Sequence, residues 1–194
     1  MRRTELLTFL AEEIIARKVE ERPLKVGIDG RCAAGKTMLA DELGQVLGGR
    51  GFEVLRPSVD GFHHPRERRY QQGEYSAQGY YEDAYDYGSV ASALQEPLSA
   101  NTILLFEGIF VFRSQINTFW EYRILVDVDA ATSLSRSLVR DTGLIGPADV
   151  VRRKFDQRYE PAWQIYVDQA DLETVADVVI DNREVANPQI LKGA

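Results

Sequence analysis

The sequence predicts an α/β fold in which parallel strands are joined by helices. Short runs rich in β-branched residues alternate along the chain with segments of helical periodicity. A glycine-rich loop connects the first of these runs to a helical segment. The chain has 194 residues, of which 44% are hydrophobic, so it can bury one core but not comfortably two. We therefore expect a single domain spanning residues 1–194.

The alternating pattern predicts five strands and five helices. The strands are expected at Leu24–Asp29, Glu53–Val59, Thr102–Phe106, Arg123–Val128 and Asp177–Ile180. The helices are expected at Thr4–Lys18, Lys36–Leu47, Tyr87–Gln95, Ala131–Arg140 and Pro147–Gln169. Residues 1–22 interleave apolar residues with glutamates, which predicts an amphipathic helix and not a signal peptide.

Composition restricts the classes of partner and the compartment. With 30 acidic and 23 basic residues the formal net charge is −7, which disfavours binding to nucleic acid or to an anionic membrane. The most apolar stretch, residues 103–112, is shorter than the roughly 20 residues of a membrane span. The single cysteine, Cys32, excludes an internal disulfide and fits a reducing cytoplasm. The sequence leaves open whether the chain forms a homo-oligomer.

The strongest motif is the octapeptide Gly30–Thr37, which matches the pattern G-x-x-x-x-G-K-[ST]. It lies between a predicted strand and a predicted helix, as a phosphate-binding loop requires. Backbone N–H groups of such a loop point at phosphate oxygens, Lys36 supplies a charge for the β- and γ-phosphates, and the Thr37 hydroxyl can bind Mg²⁺. The alternative is a tight glycine turn with a solvated lysine. The predicted phosphate-binding residues are Gly30, Cys32, Ala33, Ala34, Gly35, Lys36 and Thr37.

A missing motif and the length of the chain exclude two classes of P-loop protein. The Asn-Lys-x-Asp string with which GTP-binding switch proteins read guanine is absent from the sequence, and motor-type ATPases need a longer chain. The sequence therefore favours a kinase for a small molecule or a nucleotide-binding module.

Two carboxylates follow predicted strands, at the edge where parallel α/β sheets bind ligands. Asp60 follows the second strand and Glu107 follows the third. Either could take a proton from an attacking hydroxyl, and both could hold Mg²⁺ directly or through water. The alternatives are an Asp-Gly turn at Asp60 and a capping role for Glu107. Asp129 is instead expected to be the N-cap of the following helix, and Asp127 is also expected to be structural.

The segment from Asp60 to Tyr87 has no clear period and contains six of the nine tyrosines, so we expect it to bind the acceptor. Its tyrosines could pack on a sugar face or a ring. His63 and the neighbouring histidine are expected to contact the substrate or a polar loop, since they lack a third metal ligand at suitable spacing. Three arginines, Arg66, Arg68 and Arg69, could meet an anionic group of the acceptor or pair with Glu74, Glu82 and Asp86 within the segment.

The order of these motifs resembles the uridine kinase and phosphoribulokinase family of P-loop kinases. The resemblance extends from about residue 24 to residue 182. The pieces that carry it are Gly30–Thr37, Ser58–Phe62, Asp83–Asp86, Leu105–Ile109, Val126–Asp129, Arg136–Asp141 and Ala176–Ile180.

The resemblance implies a doubly wound, five-stranded parallel sheet and transfer of the γ-phosphate of ATP to an acceptor hydroxyl. It implies Asp60 as the base, with Lys36 as the second catalytic residue, and a Mg²⁺ shell of Thr37, Asp60 and Glu107. Asp83 would hold acceptor hydroxyls, as a carboxylate that accepts from two vicinal hydroxyls can orient a sugar. The predicted acceptor site consists of Asp83, His63, Arg69 and Tyr81, and the predicted lid, residues 136–158, carries Arg136, Arg140 and Arg158.

The sequence departs from the family pattern at two places. Only residues 94–101 separate the helix after Asp86 from the third strand, so the family's base-reading hairpin is missing. The later lid arginine is also missing, and Arg152, Arg153 or Arg158 could replace it or form a solvated basic face. A nucleoside is the first expectation for the acceptor. The alternatives are a sugar, a sugar phosphate, pantothenate or another small alcohol, and an ATP-binding regulatory module without turnover.

Overall fold

A computed structural model of the chain describes residues 1–193. Its central element is a six-stranded sheet with the strand order β2-β3-β1-β4-β5-β6. Strands β1 to β5 are parallel, and β6 is antiparallel to β5. The strands are β1 (Leu24–Asp29), β2 (Glu53–Leu55), β3 (Thr102–Gly108), β4 (Tyr122–Asp127), β5 (Val178–Asp181) and β6 (Gln189–Lys192). The predicted α/β class and its five parallel strands are confirmed.

The sheet differs from the prediction at both edges. Strand β2 ends at Leu55 instead of Val59, because Pro57 has no N–H to donate to a ladder. The carbonyl of Pro57 still accepts from the Glu107 N–H at 3.1 Å, and Ser58 forms an isolated parallel bridge with Glu107. Strand β6 was not predicted, since its four residues are mostly exposed and show no apolar alternation.

Nine α-helices lie within the described chain. They are α1 (Arg3–Arg17), α2 (Lys36–Gly49), α3 (Arg66–Arg69), α4 (Ala77–Asp83), α5 (Tyr87–Gln95), α6 (Ala130–Asp141), α7 (Ala148–Lys154), α8 (Glu160–Ala170) and α9 (Leu172–Val175). None of these helices is both long and apolar enough to cross a membrane. The predicted helix Pro147–Gln169 is a helical path interrupted by a π-helical turn, Phe155–Tyr159. Pro161 follows this turn and cannot donate to the preceding helical turn, which favours the wider geometry.

The helices cover both faces of the sheet, so the sheet is doubly wound. Apolar side chains of α1 and α2, such as Leu10 and Leu43, pack on one face in a cluster with Val26 and Ile124. Side chains of α4, α5 and α8 pack on the other face in a second cluster that contains Phe106. Strands β1, β3, β4 and β5, which lie between these layers, are almost fully buried.

The register of the two central strands positions the functional loops. In the pairing of β1 with β3, Ile28 lies opposite Glu107 and Asp29 lies opposite Gly108. The loop that follows β1 and the carboxylate at the end of β3 therefore emerge side by side at the carboxyl edge of the sheet.

The acceptor segment, residues 60–87, is more regular than its sequence suggests. It begins in a 3₁₀ turn, Val59–Phe62, and contains the short helices α3 and α4. The Ser76 hydroxyl accepts a hydrogen bond from the Gly79 N–H at 2.9 Å and so caps α4. Helices of four and seven residues are too short to show a period in the sequence.

Candidate active site

The glycine-rich loop has a backbone that only small residues can adopt. Gly30 has φ +154°, and a Cβ there would overlap the carbonyl oxygen of Val126. Gly35 has φ +99°, and a Cβ there would lie 2.6 Å from Nδ2 of Asn182. Ala33, with φ 52°, is also in the left-handed region. Because Gly30 and Gly35 have no side chain, the chain can turn tightly into α2 at these positions.

The ammonium group of Lys36 lies over its own loop. Nζ donates to the carbonyl of Gly30 at 2.9 Å and to the carbonyl of Arg31 at 2.7 Å. The side chain is mostly buried, and both of these partners are neutral. An anion bound in the loop would therefore attract this charge without having to break an ion pair.

Thr37 and Glu107 face each other across the end of the sheet. The Thr37 hydroxyl, in the first turn of α2, donates to Oε1 of Glu107 at 3.2 Å. Gly108, next to Glu107, lets the side chain of Val59 pack against the end of β3, because a Cβ at Gly108 would overlap that side chain. The pair brings one hydroxyl and one carboxylate oxygen together, which are ligand types that Mg²⁺ prefers.

Asp60 presents its carboxylate to the cleft from the 3₁₀ turn after β2. Its side chain is 69% exposed. Oδ1 accepts a hydrogen bond from the Tyr85 hydroxyl at 3.1 Å, and Nε2 of His63 lies 4.0 Å away. The Ser58 hydroxyl accepts from the Asp60 N–H at 3.2 Å and caps the turn. The carboxylate is thus oriented by its own segment and left accessible to a hydroxyl group.

One cleft, of about 370 Å³, collects most of the predicted side chains. Among its lining residues are ten of the predicted ones: Cys32, Ala33, Lys36, Thr37, Asp60, His63, Arg69, Glu107, Arg140 and Arg158. Burial raises the pKa of the Cys32 thiol, which favours its neutral form.

Two of the predicted lid arginines lie beside the loop. Arg136 donates to the carbonyl of Ala34 at 3.3 Å and to the carbonyl of Asn182 at 2.8 Å. Arg140 donates to both carboxylate oxygens of Asp141, at 2.6 and 2.9 Å. Arg136 and Arg140 also line a second depression above residues 33–38, which meets the cleft at the loop.

Arg158 joins the π-helical turn to the acceptor segment. It is 2% exposed, and its guanidinium donates to the carbonyls of Ser76 and Arg69, each at 3.1 Å, and of Glu74 at 3.2 Å. The guanidinium also contacts the aromatic ring of Tyr80, whose centroid lies 5.0 Å from Cζ of Arg158. Arg158 therefore holds the acceptor segment in place as well as lining the cleft.

A buried carboxylate supports the loop from below. The side chain of Asp29 accepts hydrogen bonds from the N–H groups of Gly30 at 2.7 Å, Phe110 at 3.1 Å and Phe112 at 2.9 Å. The Tyr166 hydroxyl adds a fourth bond, of 2.5 Å. Burial nevertheless raises the pKa of Asp29 to about 6, because desolvation of the carboxylate outweighs these hydrogen bonds.

The fold is shared with solved kinase structures. A structure described as a possible uridine kinase from Bacillus stearothermophilus superposes with a TM-score of 0.72 and 24% identity, over 91% of this chain and 97% of that one. A D-glycerate 3-kinase from Cryptococcus neoformans gives a TM-score of 0.59 with 11% identity, over 96% and 99% of the two chains. These likenesses show the fold. No protein-family model matches the sequence.

Characterised relatives indicate the family. Uridine-cytidine kinase B of Dictyostelium discoideum is 25% identical over 186 residues, which cover 82% of this chain and 75% of the relative. Uridine-cytidine kinase 2-B of Danio rerio is 24% identical over 194 residues, with 82% and 73% of the two chains covered. The chain is thus similar in sequence and in fold to uridine kinase-like P-loop kinases. It is accordingly a small-molecule kinase.

Two predicted acceptor residues of this kinase lie outside the lining of the cleft. The Asp83 carboxylate is 8% exposed and accepts from the Gln72 amide at 2.8 Å. Tyr81 is also buried and donates to Gln169 at 2.8 Å, with the guanidinium of Arg113 4.0 Å from its ring centroid. An acceptor role for Asp83 and Tyr81 stays a prediction.

The structure resolves two alternatives left by the sequence. Asp129 is the N-cap of α6, since its carboxylate accepts from the Thr132 N–H at 2.7 Å, as predicted. The arginines of α3 do not pair with the acids of their own segment. Those acids have other partners: Lys154 for Glu74, Gln72 and Gln78 for Glu82, and Ser89 for Asp86. Within residues 1–193, no group of three or more His, Cys, Asp and Glu side chains is placed to hold a metal by itself.

Several residues of the kinase's cleft, above all Tyr70 and Lys154, were not predicted from the sequence. Lys154 precedes Arg158 by four residues, a spacing that places both on one face of a helix. This spacing was visible in the sequence, but the run Arg152-Arg153-Lys154 is equally typical of a solvent-exposed basic helix face. Tyr70 gave no signal beyond its position in a tyrosine-rich segment.

Proposed function

We propose that this kinase transfers the γ-phosphoryl group of Mg²⁺-ATP to a hydroxyl group of a small molecule. The observation that carries the proposal is the shared cleft of Lys36, Thr37, Asp60 and Glu107 at the carboxyl edge of the sheet. A cation, an oxygen-ligand pair and an accessible carboxylate are the groups that phosphoryl transfer requires.

The residues at the loop fit a nucleotide with its magnesium ion. Thr37 and Glu107 supply oxygen ligands, and Asp60 lines the same cleft. This is a small ligand set, and it suits Mg²⁺, which keeps several waters and binds substrate phosphates besides one or two carboxylates. When bound, the ion would neutralise charge on the β- and γ-phosphates.

The chain's own groups account for the remaining steps. In the proposed reaction, Asp60 accepts the proton of the acceptor hydroxyl, the hydroxyl oxygen attacks the γ-phosphorus, and the bond from that phosphorus to the bridging oxygen breaks. Lys36 leaves the carbonyls of Gly30 and Arg31 for the phosphate oxygens and balances their charge. ADP leaves with the electron pair of the broken bond.

Two classes of acceptor follow from different observations. The names of the curated relatives favour a nucleoside such as uridine or cytidine. The chain between α5 and β3, residues 96–101, favours another small alcohol, since six residues are too few for a base-reading hairpin. A sugar, a sugar phosphate and pantothenate belong to this second class. A cytoplasmic location stays a prediction.

The test is coupled ADP release from Mg²⁺-ATP with nucleosides, pentoses, hexoses, sugar phosphates and pantothenate as acceptors. We expect at least one acceptor to raise ADP release well above the rate with water alone, and Asp60→Asn to remove this stimulation. ATP binding without stimulation by any acceptor of this panel would count against the proposal. Stimulation that survives in Asp60→Asn would count against the assigned base.

A further inference from the structure

Four cationic side chains surround the ring of Tyr70, which lies at the end of α3. The charged groups of Arg66, Arg69, Lys154 and Arg158 lie 4.9, 5.7, 5.8 and 4.7 Å from the ring centroid. These distances are within the range of cation–π contacts. The four side chains come from two separate parts of the chain, α3 and the helical path from α7 through the π turn. We call this group of five residues the Tyr70 cluster.

The positive charge of the Tyr70 cluster is poorly balanced. Lys154 pairs with the half-exposed carboxylate of Glu74 at 3.1 Å. The hydrogen bonds of Arg158 all go to backbone carbonyls. Nε of Arg69 is buried and has no hydrogen-bond partner. Across the described residues, none of the three arginines has an acidic side chain within 4.0 Å. The protein as a whole is acidic, with a net charge of −7, so this concentration of positive charge is local.

Three cations of the cluster line the cleft but not the depression on the other side of the loop. Arg69, Lys154 and Arg158 line the cleft together with Asp60, whereas none of them lines the depression above residues 33–38. Arg140 lines both spaces and marks where they meet. The loop and its outer depression suit the nucleotide, which leaves the Tyr70 cluster to the second substrate.

We infer that the acceptor carries an anionic group, a phosphate or a carboxylate, held by Arg69, Lys154 and Arg158 beside Tyr70. The inference rests on the proposed function, since it names the substrate class of that same cleft. Partly buried cations without acidic partners are costly, and a bound anion offsets this cost through charge-assisted hydrogen bonds. An acceptor with both a hydroxyl and an anionic group would be fixed at one end by the cluster and presented to Asp60 at the other. A neutral nucleoside would leave the charges of Arg69 and Arg158 without an anionic partner.

Two other roles for Lys154 must be separated from this one. The ion pair of Lys154 with Glu74 could simply hold α7 against the acceptor segment. The cluster could also bind the γ-phosphate of the nucleotide instead of the acceptor. The first role predicts that loss of either partner weakens the fold, and the second predicts that loss of Lys154 raises the KM for ATP.

The test compares matched neutral and anionic probes by titration calorimetry in saturating Mg²⁺-ADP, which occupies the P-loop. The probes are glycerol, glycerate and glycerol 3-phosphate, and ribose with ribose 5-phosphate. We expect at least one anionic probe to bind about tenfold or more tightly than its neutral partner, as expected for a hydrogen bond to a charged group. If glycerate is the only anion that binds, the site takes a carboxylate. If only the phosphate esters bind, the site takes a phosphate.

Three variants test which side chains bind the anionic probe. Lys154→Gln should weaken binding of the anionic probe about tenfold and leave the KM for ATP within about twofold. Arg50→Gln removes one positive charge at an exposed residue that follows α2 and lies outside the cleft, and it should change neither. Glu74→Gln removes the competing carboxylate and should tighten anion binding, whereas a purely structural ion pair predicts that Glu74→Gln and Lys154→Gln weaken it alike.

Equal binding of neutral and anionic probes would overturn the inference, and so would anion binding that is unchanged in Lys154→Gln. A rise in the KM for ATP in Lys154→Gln without loss of anion binding would overturn it in favour of the nucleotide. These readouts do not depend on turnover. Anion binding that responds to Lys154→Gln with no ADP release from any probe would leave the anion subsite standing and count against the proposed kinase reaction.

Discussion

The hydroxyl of Tyr166, on α8, donates a 2.5 Å hydrogen bond to the buried carboxylate of Asp29 at the end of β1. Asp29 also accepts from the first N–H of the phosphate-binding loop. Helix α8 continues the path that carries Lys154 and Arg158. The bond therefore connects the glycine-rich loop with the helix next to the acceptor segment.

Asp29→Asn should make stability less dependent on pH. The pKa of Asp29 in the folded protein, about 6, lies above its ordinary value of 3.8, so the folded state binds more protons than the unfolded state. The stabilising contribution of this carboxyl is full below pH 3.8 and is lost as the pH rises to about 6. The change amounts to at most about 3 kcal/mol in the free energy of unfolding.

Asp29→Asn removes the titrating carboxyl group. It also replaces one oxygen, which accepts hydrogen bonds, by an NH₂ group, which only donates and would face the backbone N–H groups that now bond to Asp29. We expect the variant to be less stable than the wild type, with the largest difference near pH 4 and a smaller one at pH 7. Urea unfolding at several pH values measures the difference. Asp156→Asn, at an exposed position, is the control for loss of a carboxylate. A difference that grows as the pH rises would contradict the direction of the pKa shift.

Lys36→Ala should weaken phosphate binding and nearly abolish turnover. The ammonium group has no acidic partner to release, so its whole charge is available to the β- and γ-phosphates. We expect kcat/KM for ATP to fall by about 10² or more. Steady-state kinetics and ATP titration measure the two effects, and Lys25→Ala, at a position outside the cleft, is a lysine control. ATP affinity and turnover equal to those of the wild type would exclude the loop as the phosphate site.

Asp60→Asn should separate binding from chemistry. The amide retains the shape of the carboxylate and cannot accept the acceptor's proton, so kcat should fall by about 10² to 10⁴ while ATP affinity changes little. Glu67→Gln makes the same carboxylate-to-amide change at an exposed position of the acceptor segment and should leave kcat unchanged. Normal kcat in Asp60→Asn would end the assignment of Asp60 as the base.

The parts of the site that are local in sequence were predictable, and the parts that depend on tertiary packing were not. The loop Gly30–Thr37 is contiguous, and its spacing alone dictates strand, turn and helix. Asp60 and Glu107 were found because parallel strands end at one edge, a rule that needs no side-chain detail. Strand β2 was predicted too long, because Val59 is apolar and β-branched although the regular strand ends at Leu55, before Pro57.

The Tyr70 cluster could not be predicted from spacing. Its members lie on α3 and on the path from α7, more than 80 residues apart, and they meet only because Arg158 bonds to the carbonyls of residues 69–76. For Asp83 the sequence predicted a contact that the structure does not show. Its place in a family-like motif predicted a contact with the acceptor, whereas its carboxylate accepts a hydrogen bond from Gln72. A sequence motif fixes residue type and order, but the direction of a side chain depends on its neighbours.

Thr37 and Glu107 should act together on the magnesium requirement. Their side chains lie 3.2 Å apart at the end of the sheet, and each offers an oxygen ligand to the ion or to its waters. Thr37→Val removes the hydroxyl at nearly constant shape, and Glu107→Gln removes the charge. We expect each variant to raise the Mg²⁺ concentration at half-maximal ADP release by about tenfold or more, as a consequence of losing one ligand or its orienting partner.

Thr37→Ser keeps the hydroxyl and is the matched control, whose half-saturating Mg²⁺ concentration should stay near that of the wild type. The double variant of Thr37→Val and Glu107→Gln tests the coupling, because two groups that bind one ion through the same shell should give effects that do not add. Purely additive effects would mean that the two side chains act independently. An unchanged magnesium requirement in both single variants would place the ion away from this pair and leave their hydrogen bond a structural link between α2 and β3.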